Sequence, residues 1–248
     1  MKSSLAALCA LHVIGDALIL WLGYAWLSIP ESNAAHLLWS LLIVLLFVCS
    51  ALWLHGTAFV YFRRSPEPNL RNSAITALQH LPALFVLAVV AIVLYWLLSV
   101  VNGMLGQPAF QLASWLTMTI RKPVPPPRIL ALFHGIVWLV RWLVLPAILV
   151  PAAAVLAAEG FGGSRNFFGK PRLLRALVVF VLLLGAVWAP MKLLAWVPEM
   201  PNFGAEMGSF LVRAAIAYLL FAGLLLVLER AISSGSPSLT QRNSSATP

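Results

Sequence analysis

The stretch that most constrains the fold is the apolar run over residues 129–160, which carries Arg141 near its middle. Its length exceeds the roughly 20 residues that an α-helix needs to cross a bilayer core about 30 Å thick. A charged side chain at that depth must find a carboxylate, a carbonyl group or water, because burying it alone costs about 2.5–3.5 kcal/mol on insertion scales. The run therefore predicts a membrane-spanning helix whose arginine contacts a polar group on another helix.

The composition favours lipid as the solvent for the rest of the chain. Hydrophobic residues make up 62% of the 248 residues and charged residues only 9%, whereas a soluble domain carries about 25% charged residues. The net charge of +9 is typical of cytoplasmic loops rich in Lys and Arg. No nucleic-acid-binding motif accompanies this charge, so nucleic acid is not expected as a partner.

Five further apolar segments accompany the segment that contains Arg141. The predicted spans are residues 5–27, 36–62, 74–101, 129–158, 173–197 and 207–228. The sequence therefore predicts an all-α fold, namely a polytopic integral membrane protein with a six-helix bundle as the single domain over residues 1–232. Asn72 or Ser73 is expected to cap the third helix. Residues 233–248 are small and polar, which predicts a disordered cytoplasmic tail.

The region between the third and fourth spans is too long for an ordinary loop. Within residues 109–120, Gln111, Ser114 and Thr117 recur at helical spacing, but the segment has only about half the length of a span. A short interfacial or re-entrant helix is therefore expected here, between helices 3 and 4. Four prolines within residues 123–127 end it, because proline cannot continue a helix.

The distribution of Lys and Arg predicts the orientation of the bundle. If the N-terminus lies inside, ten of these residues flank the inner ends of the spans and three flank the outer ends. This excess favours six helices with both termini in the cytoplasm. Lys192 and Arg213 lie near the outer ends of their helices and are expected to snorkel to the headgroups. The layout resembles that of many bacterial inner-membrane proteins, a resemblance of architecture that rests on no motif.

Asp16 is the acidic residue that lies deep inside another predicted span, at a depth matching that of Arg141. The two residues are therefore predicted to form an intramembrane ion pair, which either fixes helix register or serves as an ion or anion-substrate site. His134 and Trp138 share a helix face with Arg141 at i, i+4 and i+7. We include His134 in this predicted polar site.

Three histidines, His12, His55 and His80, lie at similar predicted depths on three helices. Three imidazoles at one depth could ligate haem or a metal, and Asp16 lies four residues after His12, where it could orient that imidazole. Each histidine could instead hydrogen-bond a carbonyl group in its own surroundings. No metal site is assigned and no cofactor is expected, with haem kept as a minor alternative.

The loop over residues 160–175 combines glycines, phenylalanines and basic residues. It lacks the GxxxxGK[ST] pattern of a nucleotide-binding loop. Basic residues beside aromatic ones at the cytoplasmic leaflet suit anionic lipid headgroups, although they could serve orientation alone. The residues predicted to contact headgroups are Arg165, Lys170, Arg172 and Arg175.

The sequence contains neither an HExxH nor a GxSxG motif, and the predicted spans contain no second carboxylate beside Asp16. We therefore expect no enzymatic activity. One hypothesis is a non-enzymatic scaffold, assembly or regulatory component of the inner membrane, with membrane lipids and a membrane protein as partners. The other is a transporter, or a membrane-embedded substrate-binding subunit, with a polar site around Arg141 and Asp16. Prolines that interrupt helices near polar positions favour the second hypothesis.

Overall fold

The computed structural model describes residues 2–30, 32–63, 69–166 and 173–233. Every regular element in these residues is helical, which confirms the all-α prediction. In chain order the elements are α1 (Lys2–Leu27), α2 (Ala34–Arg63), α3 (Leu70–Gln79), α4 (Leu81–Gly103), α5 (Gly106–Ile120), α6 (Pro126–Leu139), a π-helical turn (Val140–Val144), α7 (Leu145–Glu159), a 3₁₀-helix (Gly160–Asn166), α8 (Leu173–Ala195) and α9 (Phe203–Ser233).

Six helical stretches of the described residues are long and apolar enough to cross a membrane, which confirms the predicted number of apolar helices. They are Ser4–Leu27, Ala34–Arg63, Leu81–Gly103, Pro126–Gly163, Leu174–Ala195 and Phe203–Ser233. The last of them continues to Ser233, beyond the predicted end at Leu228. The predicted tail that follows Ser233 lies outside the described residues.

The third predicted span consists of two helices that meet at His80. The side chain of Asn69 caps α3 by accepting a hydrogen bond from the backbone N–H of Asn72 at 3.3 Å. The predicted cap at Asn72 or Ser73 was wrong, because the helix begins earlier than the apolar pattern does. Pro82 lies in the first turn of α4. Backbone N–H groups of a first turn have no acceptor within the helix, so proline, which lacks an N–H, loses no hydrogen bond there.

A short helix lies between the third and fourth apolar helices, and its interfacial or re-entrant placement stays a prediction. This helix, α5, has 15 residues, which corresponds to about 22 Å, and it packs against α6. It ends at Arg121, whose φ of 55° is the left-handed conformation that terminates helices. The hydroxyl group of Thr117 accepts a hydrogen bond from the N–H of Val124 at 3.0 Å, which ties the proline-containing turn back to α5.

The helix that carries Arg141 runs from α6 into α7 through the π-helical turn. Leu145 donates its N–H to the carbonyl group of Val140, five residues earlier, and Pro146 has no N–H to donate. In a helix, the carbonyl group of Arg141 could accept from the N–H of Leu145 or from that of residue 146. The first donates elsewhere and the second is a proline, so this carbonyl group has no donor within the helix. The hydroxyl group of Tyr95 on α4 donates to this carbonyl group at 3.0 Å, so the turn also fixes α4 against the broken helix.

Buried side chains concentrate at one end of the bundle, where α1 begins and α2 and α9 end. We call this the closed end. The hydroxyl groups of Ser4 and Tyr61 hydrogen-bond at 2.9 Å, and the hydroxyl group of Ser233 donates to the carbonyl group of Phe59 at 3.2 Å. Large apolar side chains with less than a tenth of their surface exposed fill this end, among them Leu8, Leu54, Val60, Leu84, Leu156, Val179, Leu228 and Ile232.

The opposite end of the bundle, which we call the open end, exposes its apolar side chains. Trp21, Tyr24 and Leu27 of α1 are more than half exposed, as are Trp188 of α8 and Phe203 of α9. Contiguous apolar surface of this extent marks contact with lipid or with another protein.

Arg213 is an exception among the side chains at the open end, because it is only 6% exposed. Its guanidinium group donates to the carbonyl group of Leu194 at 3.3 Å and to that of Trp196. The predicted snorkelling of Arg213 was therefore wrong. Its guanidinium group instead bonds carbonyl groups at the C-terminal end of α8. This end of a helix favours a cation, because its last carbonyl groups have no donor within the helix.

Candidate functional site

Four ionisable side chains from three helices meet inside the closed end. His12 and Asp16 lie one turn apart on α1, His55 comes from α2, and Glu229 comes from the last turns of α9. We call these four residues the His–carboxylate ring. The side chains of His12, Asp16 and Glu229 are at most 3% exposed, whereas that of His55 is 30% exposed. His55 is therefore the member through which the ring meets its surroundings.

Imidazoles and carboxylates alternate around the ring. Asp16 Oδ2 lies 3.7 Å from His12 Nδ1, and Asp16 Oδ1 lies 3.8 Å from His55 Nε2. On the other side, Glu229 Oε2 lies 3.6 Å from His12 Nε2, and Glu229 Oε1 lies 2.7 Å from His55 Nδ1. The centroids of the two imidazole rings are 5.5 Å apart. Each carboxylate thus faces one nitrogen of each histidine.

Only one of these four contacts is a hydrogen bond, the one from His55 Nδ1–H to Glu229. The other three are longer than N–H···O hydrogen bonds, which span about 2.7–3.2 Å. Both nitrogens of His12, one oxygen of Asp16 and one oxygen of Glu229 therefore have no hydrogen-bond partner among the described residues. Buried polar atoms are normally paired, so four unpaired atoms in one cluster point to a ligand that they share.

The charge of the ring leads to the same inference. Two carboxylates with neutral imidazoles carry two negative charges, in a site enclosed by apolar helices. Burying uncompensated charge is costly, and no Lys or Arg of the described residues forms an ion pair with Asp16 or Glu229. With both imidazoles neutral, the ring therefore requires positive charge that no Lys or Arg of the described residues supplies.

Small residues let the helices approach closely enough to form the ring. Gly15 lies beside Asp16 on α1, and a Cβ atom there would come within 2.8 Å of the Leu54 side chain on α2. Glycine at such a contact permits close packing of membrane helices. Below the ring, Leu8, Ala58 and Tyr61 form a buried cluster. These contacts hold α1 and α2 close together on both sides of the ring.

The predicted ion pair between Asp16 and Arg141 is not among the ion pairs of the described residues. α1 packs against α2, α3 and α9, whereas the π-helical turn that carries Arg141 packs against α6, α7 and α8. Equal depth along two helices did not make the two residues neighbours, because their helices lie on different sides of the bundle.

Arg141 has neutral partners instead. Its Nη2 donates to the hydroxyl group of Ser99 on α4 at 2.8 Å. One turn further along α4, the amide oxygen of Asn102 accepts a hydrogen bond from His134 Nδ1 at 2.7 Å. We call Tyr95, Ser99, Asn102, His134 and Arg141 the polar seam. Its members are half-buried or exposed, so the seam lies at the side of the bundle.

Two of the three histidines that were predicted as possible ligands lie together, and the third does not. His12 and His55 meet in the ring, but His80 lies elsewhere and donates from Nδ1 to the carbonyl group of Ala157 at 2.9 Å. Its imidazole covers the end of α7, where Gly160 has a φ of 60° and a Cβ atom would lie 2.9 Å from the His80 ring. Glycine is required there by both the conformation and the contact. His80 therefore has a structural partner of its own.

Glu229 is the site residue that the hydrophobic pattern did not reveal, and it is the second carboxylate that the predicted spans lacked. The apolar run of the sixth segment ends at Leu228, so Glu229 was assigned to the flank. Ala231 and Ile232 continue the apolar pattern after Glu229 and Arg230, and this continuation could have indicated that Glu229 lies within the helix. Ile232 is only 2% exposed.

The predicted lipid-headgroup residues lie mostly beyond what the structure describes. Lys170 and Arg172 are outside the described residues, and for Arg165 only the backbone is described. Arg175 lies in the first turn of α8 and is half-buried. The headgroup contact stays a prediction.

The ring does not fit haem, the minor alternative that the three histidines suggested. A haem bound by both histidines has to lie between their rings as a wide planar group. Asp16 and Glu229 close that gap on both sides, each facing both imidazoles. A single ion fits the arrangement better, because one ligand atom from each of His12, Asp16 and His55 lies within 4.8 Å of the other two.

Comparison of the chain with protein-family models, with curated proteins and with solved structures gives no match.

Proposed function

We propose that this chain is a polytopic protein of the bacterial inner membrane with both termini in the cytoplasm. Six apolar helices and the excess of Lys and Arg at one side support this topology. In this orientation the closed end faces the cytoplasm, and α5 is the interfacial or re-entrant element on the outer side. Alkaline phosphatase and green fluorescent protein fused after residue 248 test the topology, because the first is active only outside and the second fluoresces only inside. An active phosphatase fusion would contradict the proposed orientation.

The function that the site supports best is binding of a small inorganic cation within the membrane, in a transporter or in the substrate-binding subunit of one. The observation that carries this proposal is the buried pair of carboxylates that no Lys or Arg of the described residues compensates, beside a buried imidazole whose two nitrogens lack hydrogen-bond partners there. The polar centre of transport is thus the His–carboxylate ring, and Arg141 is not part of it. The half-buried imidazole of His55 provides an entry point, since the other three members are enclosed.

Ligand-dependent stability tests this proposal. A ligand that binds only the folded protein raises the free energy of unfolding by about 2.7 kcal/mol at a hundred times its Kd. Thermal unfolding of the detergent-purified protein is therefore measured after chelator treatment, with sodium, potassium, magnesium or zinc chloride. At least one cation is expected to raise the Tm. Asp16→Asn is expected to abolish that rise, and Glu229→Gln is expected to reduce it.

The matched control is Glu206→Gln, which changes a carboxylate near the start of α9, outside the ring. This variant should retain the cation-dependent rise in Tm. The proposal is wrong if no cation stabilises the protein, or if the ring variants respond as the unaltered chain does. Flux of the stabilising cation into proteoliposomes then tests whether binding serves transport.

A second candidate function, assembly with a membrane protein partner, is favoured by the polar seam. Arg141 is a half-buried cation at the side of the bundle, and no carboxylate of the described residues pairs with it. A partner helix with an acidic residue would complement it. A photo-crosslinking amino acid at position 99 should give a defined adduct in host membranes that Arg141→Leu removes. The same probe at the exposed position 93 on α4 is the control.

A further inference from the structure

We infer that the His–carboxylate ring is a binding site for one divalent transition-metal ion. His12, Asp16 and His55 are the ligands, and Glu229 holds the two imidazoles in position. This inference rests on the proposed function, because it names the class of cation that the ring takes. It stands on geometry and charge that the ring shows independently of the transport hypothesis.

The ligand atoms of the three residues are gathered in one place, with wider separations than in an occupied metal site. Asp16 directs one oxygen toward His12 Nδ1 at 3.7 Å and the other toward His55 Nε2 at 3.8 Å. In a tetrahedral zinc site with bonds of about 2.0–2.1 Å, neighbouring ligand atoms lie roughly 3.3 Å apart. These two distances involve different oxygens of Asp16, and one ligand atom from each of the three residues lies within 4.8 Å of the other two. Side-chain rotations that shorten the separations by up to about 1.5 Å would bring the three atoms to that spacing.

Glu229 occupies the position of an outer carboxylate that orients metal-bound histidines. It accepts the hydrogen bond from His55 Nδ1–H at 2.7 Å, which leaves His55 Nε2 as the lone-pair nitrogen facing Asp16. On His12 it faces Nε2 at 3.6 Å, which leaves Nδ1 toward Asp16. Metal-bound histidines usually donate their second N–H to such a carboxylate. One carboxylate here serves both imidazoles.

The unpaired atoms of His12 give the second observation that points to a ligand. Its side chain is fully buried, and both of its nitrogens lack a hydrogen-bond partner among the described residues. A ligated Nδ1, with Nε2–H drawn onto Glu229, would satisfy both. A bound metal thus accounts for the burial of an imidazole that the helices alone leave unsatisfied.

Charge and ligand chemistry select the class of cation. A divalent ion balances the two carboxylates and leaves both imidazoles neutral, whereas a monovalent ion leaves one negative charge in the membrane interior. Imidazole ligands suit zinc, iron, nickel and copper, whereas calcium and magnesium prefer sites made of six or more oxygen ligands. Neither cysteine belongs to the cluster, so a thiolate-rich site is not formed.

Three protein ligands leave a coordination position open. Structural zinc sites are closed by four protein ligands, whereas exchangeable or catalytic sites keep a position for water or a substrate. The open position would lie on the side of His55, the only ring member with substantial exposure. The ion is therefore bound so that it can enter and leave, as a transported ion must.

Cobalt(II) substitution tests the inference directly. The full-length protein in mild detergent is stripped with a chelator and titrated with cobalt chloride, while absorption between 500 and 700 nm reports tetrahedral coordination. Affinity for zinc is measured by competition with a chromophoric chelator. We expect one ion per chain, and we expect His12→Gln, Asp16→Asn and His55→Gln each to remove the cobalt absorption. His36→Gln changes an exposed histidine bonded to Ser32 and should leave the absorption unchanged.

Glu229→Gln keeps the test valid if a ligand variant fails to fold. It retains all three ligands and alters only the group that orients them. As a positioning residue, Glu229 should affect affinity without changing the shape of the cobalt spectrum, and the expected loss of zinc affinity is about 10–100-fold. Gel-filtration profiles of each variant show whether the fold is retained.

The outcomes separate this inference from the proposed function. Less than one bound ion per chain, or binding that the ring variants do not alter, overturns the metal site. If sodium or magnesium stabilises the protein through the ring while zinc and cobalt do not bind, the metal inference fails and cation binding stands. If no cation binds through the ring, both fail.

Discussion

The His–carboxylate ring and the polar seam place ionisable groups in apolar helices in two different ways. The ring gathers imidazoles and carboxylates from α1, α2 and α9 and buries them at the closed end. The seam gives Arg141 a neutral hydroxyl partner at the side of the bundle and a backbone role through Tyr95. Both include histidine, but His134 of the seam bonds an amide and both histidines of the ring face carboxylates.

The difference follows from side-chain length and hydration. Arginine has a long stem that lets its charge reach neutral acceptors, water or headgroups. Aspartate and histidine are short, so their polar atoms must be satisfied close to the helix that carries them. A short ionisable side chain in a membrane helix therefore needs polar partners placed directly beside it by neighbouring helices. An arginine side chain can instead reach polar partners farther away. The ring is therefore the better candidate for a functional site.

The largest expected effect tests that ranking. Asp16→Leu is expected to lower the free energy of unfolding of the cation-bound protein by roughly 2–4 kcal/mol, because His12 and His55 lose the carboxylate between them. Unfolding of the detergent-solubilised protein by increasing sodium dodecyl sulfate measures the loss. Arg141→Leu in the same assay should cost clearly less. If Arg141→Leu proved the more damaging change, the ranking of the two regions would be reversed.

An intermediate effect is expected at the ion pair between Arg63 and Glu159, which lies at the closed end near the ring. Their side chains are 10% and 15% exposed, so their coupling should lie between that of surface and buried pairs, at about 1–2 kcal/mol. A double-mutant cycle with Arg63→Leu and Glu159→Leu measures it. Arg128→Leu, an exposed change at the start of α6, should show no coupling to Glu159→Leu. Equal coupling in both cycles would mean that the contact carries no specific energy.

Much of the architecture could be predicted from the sequence, since apolar runs longer than about 20 residues have few alternatives to spanning helices. The number of long apolar helices and the short helix near residues 109–120 follow from run length and polar spacing alone. The boundaries at Asn69 and Ser233 could not be predicted as well. A cap and a single carboxylate inside the last turns interrupt the pattern that defines a span.

The site could be predicted only in part. Asp16 and the i,i+4 placement of His12 are local, so the sequence indicates them directly. The pairing of Asp16 with His55 and Glu229 depends on which helices are neighbours, and hydrophobic patterns carry little information on that. Depth alone joined Asp16 to Arg141, and that assignment was wrong. For His80 the alternative of a carbonyl partner in its own surroundings agrees with its hydrogen bond to Ala157. The π-helical turn arises from Pro146, but its link to Tyr95 depends on how α4 packs.

A smaller effect is expected in the seam at Tyr95. Tyr95→Phe removes the donor to the Arg141 carbonyl group, which the helix itself cannot satisfy because of Pro146. The expected cost is about 1 kcal/mol, the usual value of one hydrogen bond, again measured by detergent unfolding. Tyr24→Phe, at a 70% exposed side chain of the open end, should cost nothing measurable. If Tyr95→Phe lowered the free energy of unfolding as much as Asp16→Leu does, the polar seam would contribute as much to stability as the ring.

The smallest expected effect is the coupling between the two regions. Asp16 and Arg141 have separate partners, and α1 is not among the elements against which the turn with Arg141 mainly packs. The costs of Asp16→Leu and Arg141→Leu should therefore add to within about 0.5 kcal/mol in the double variant. An ion pair between them would instead make the double variant more stable than the sum of the single changes implies, because each change alone would leave an uncompensated charge. Coupling well above that limit would contradict the separate placement of ring and seam, since only direct contact or a shared rearrangement of helices produces it.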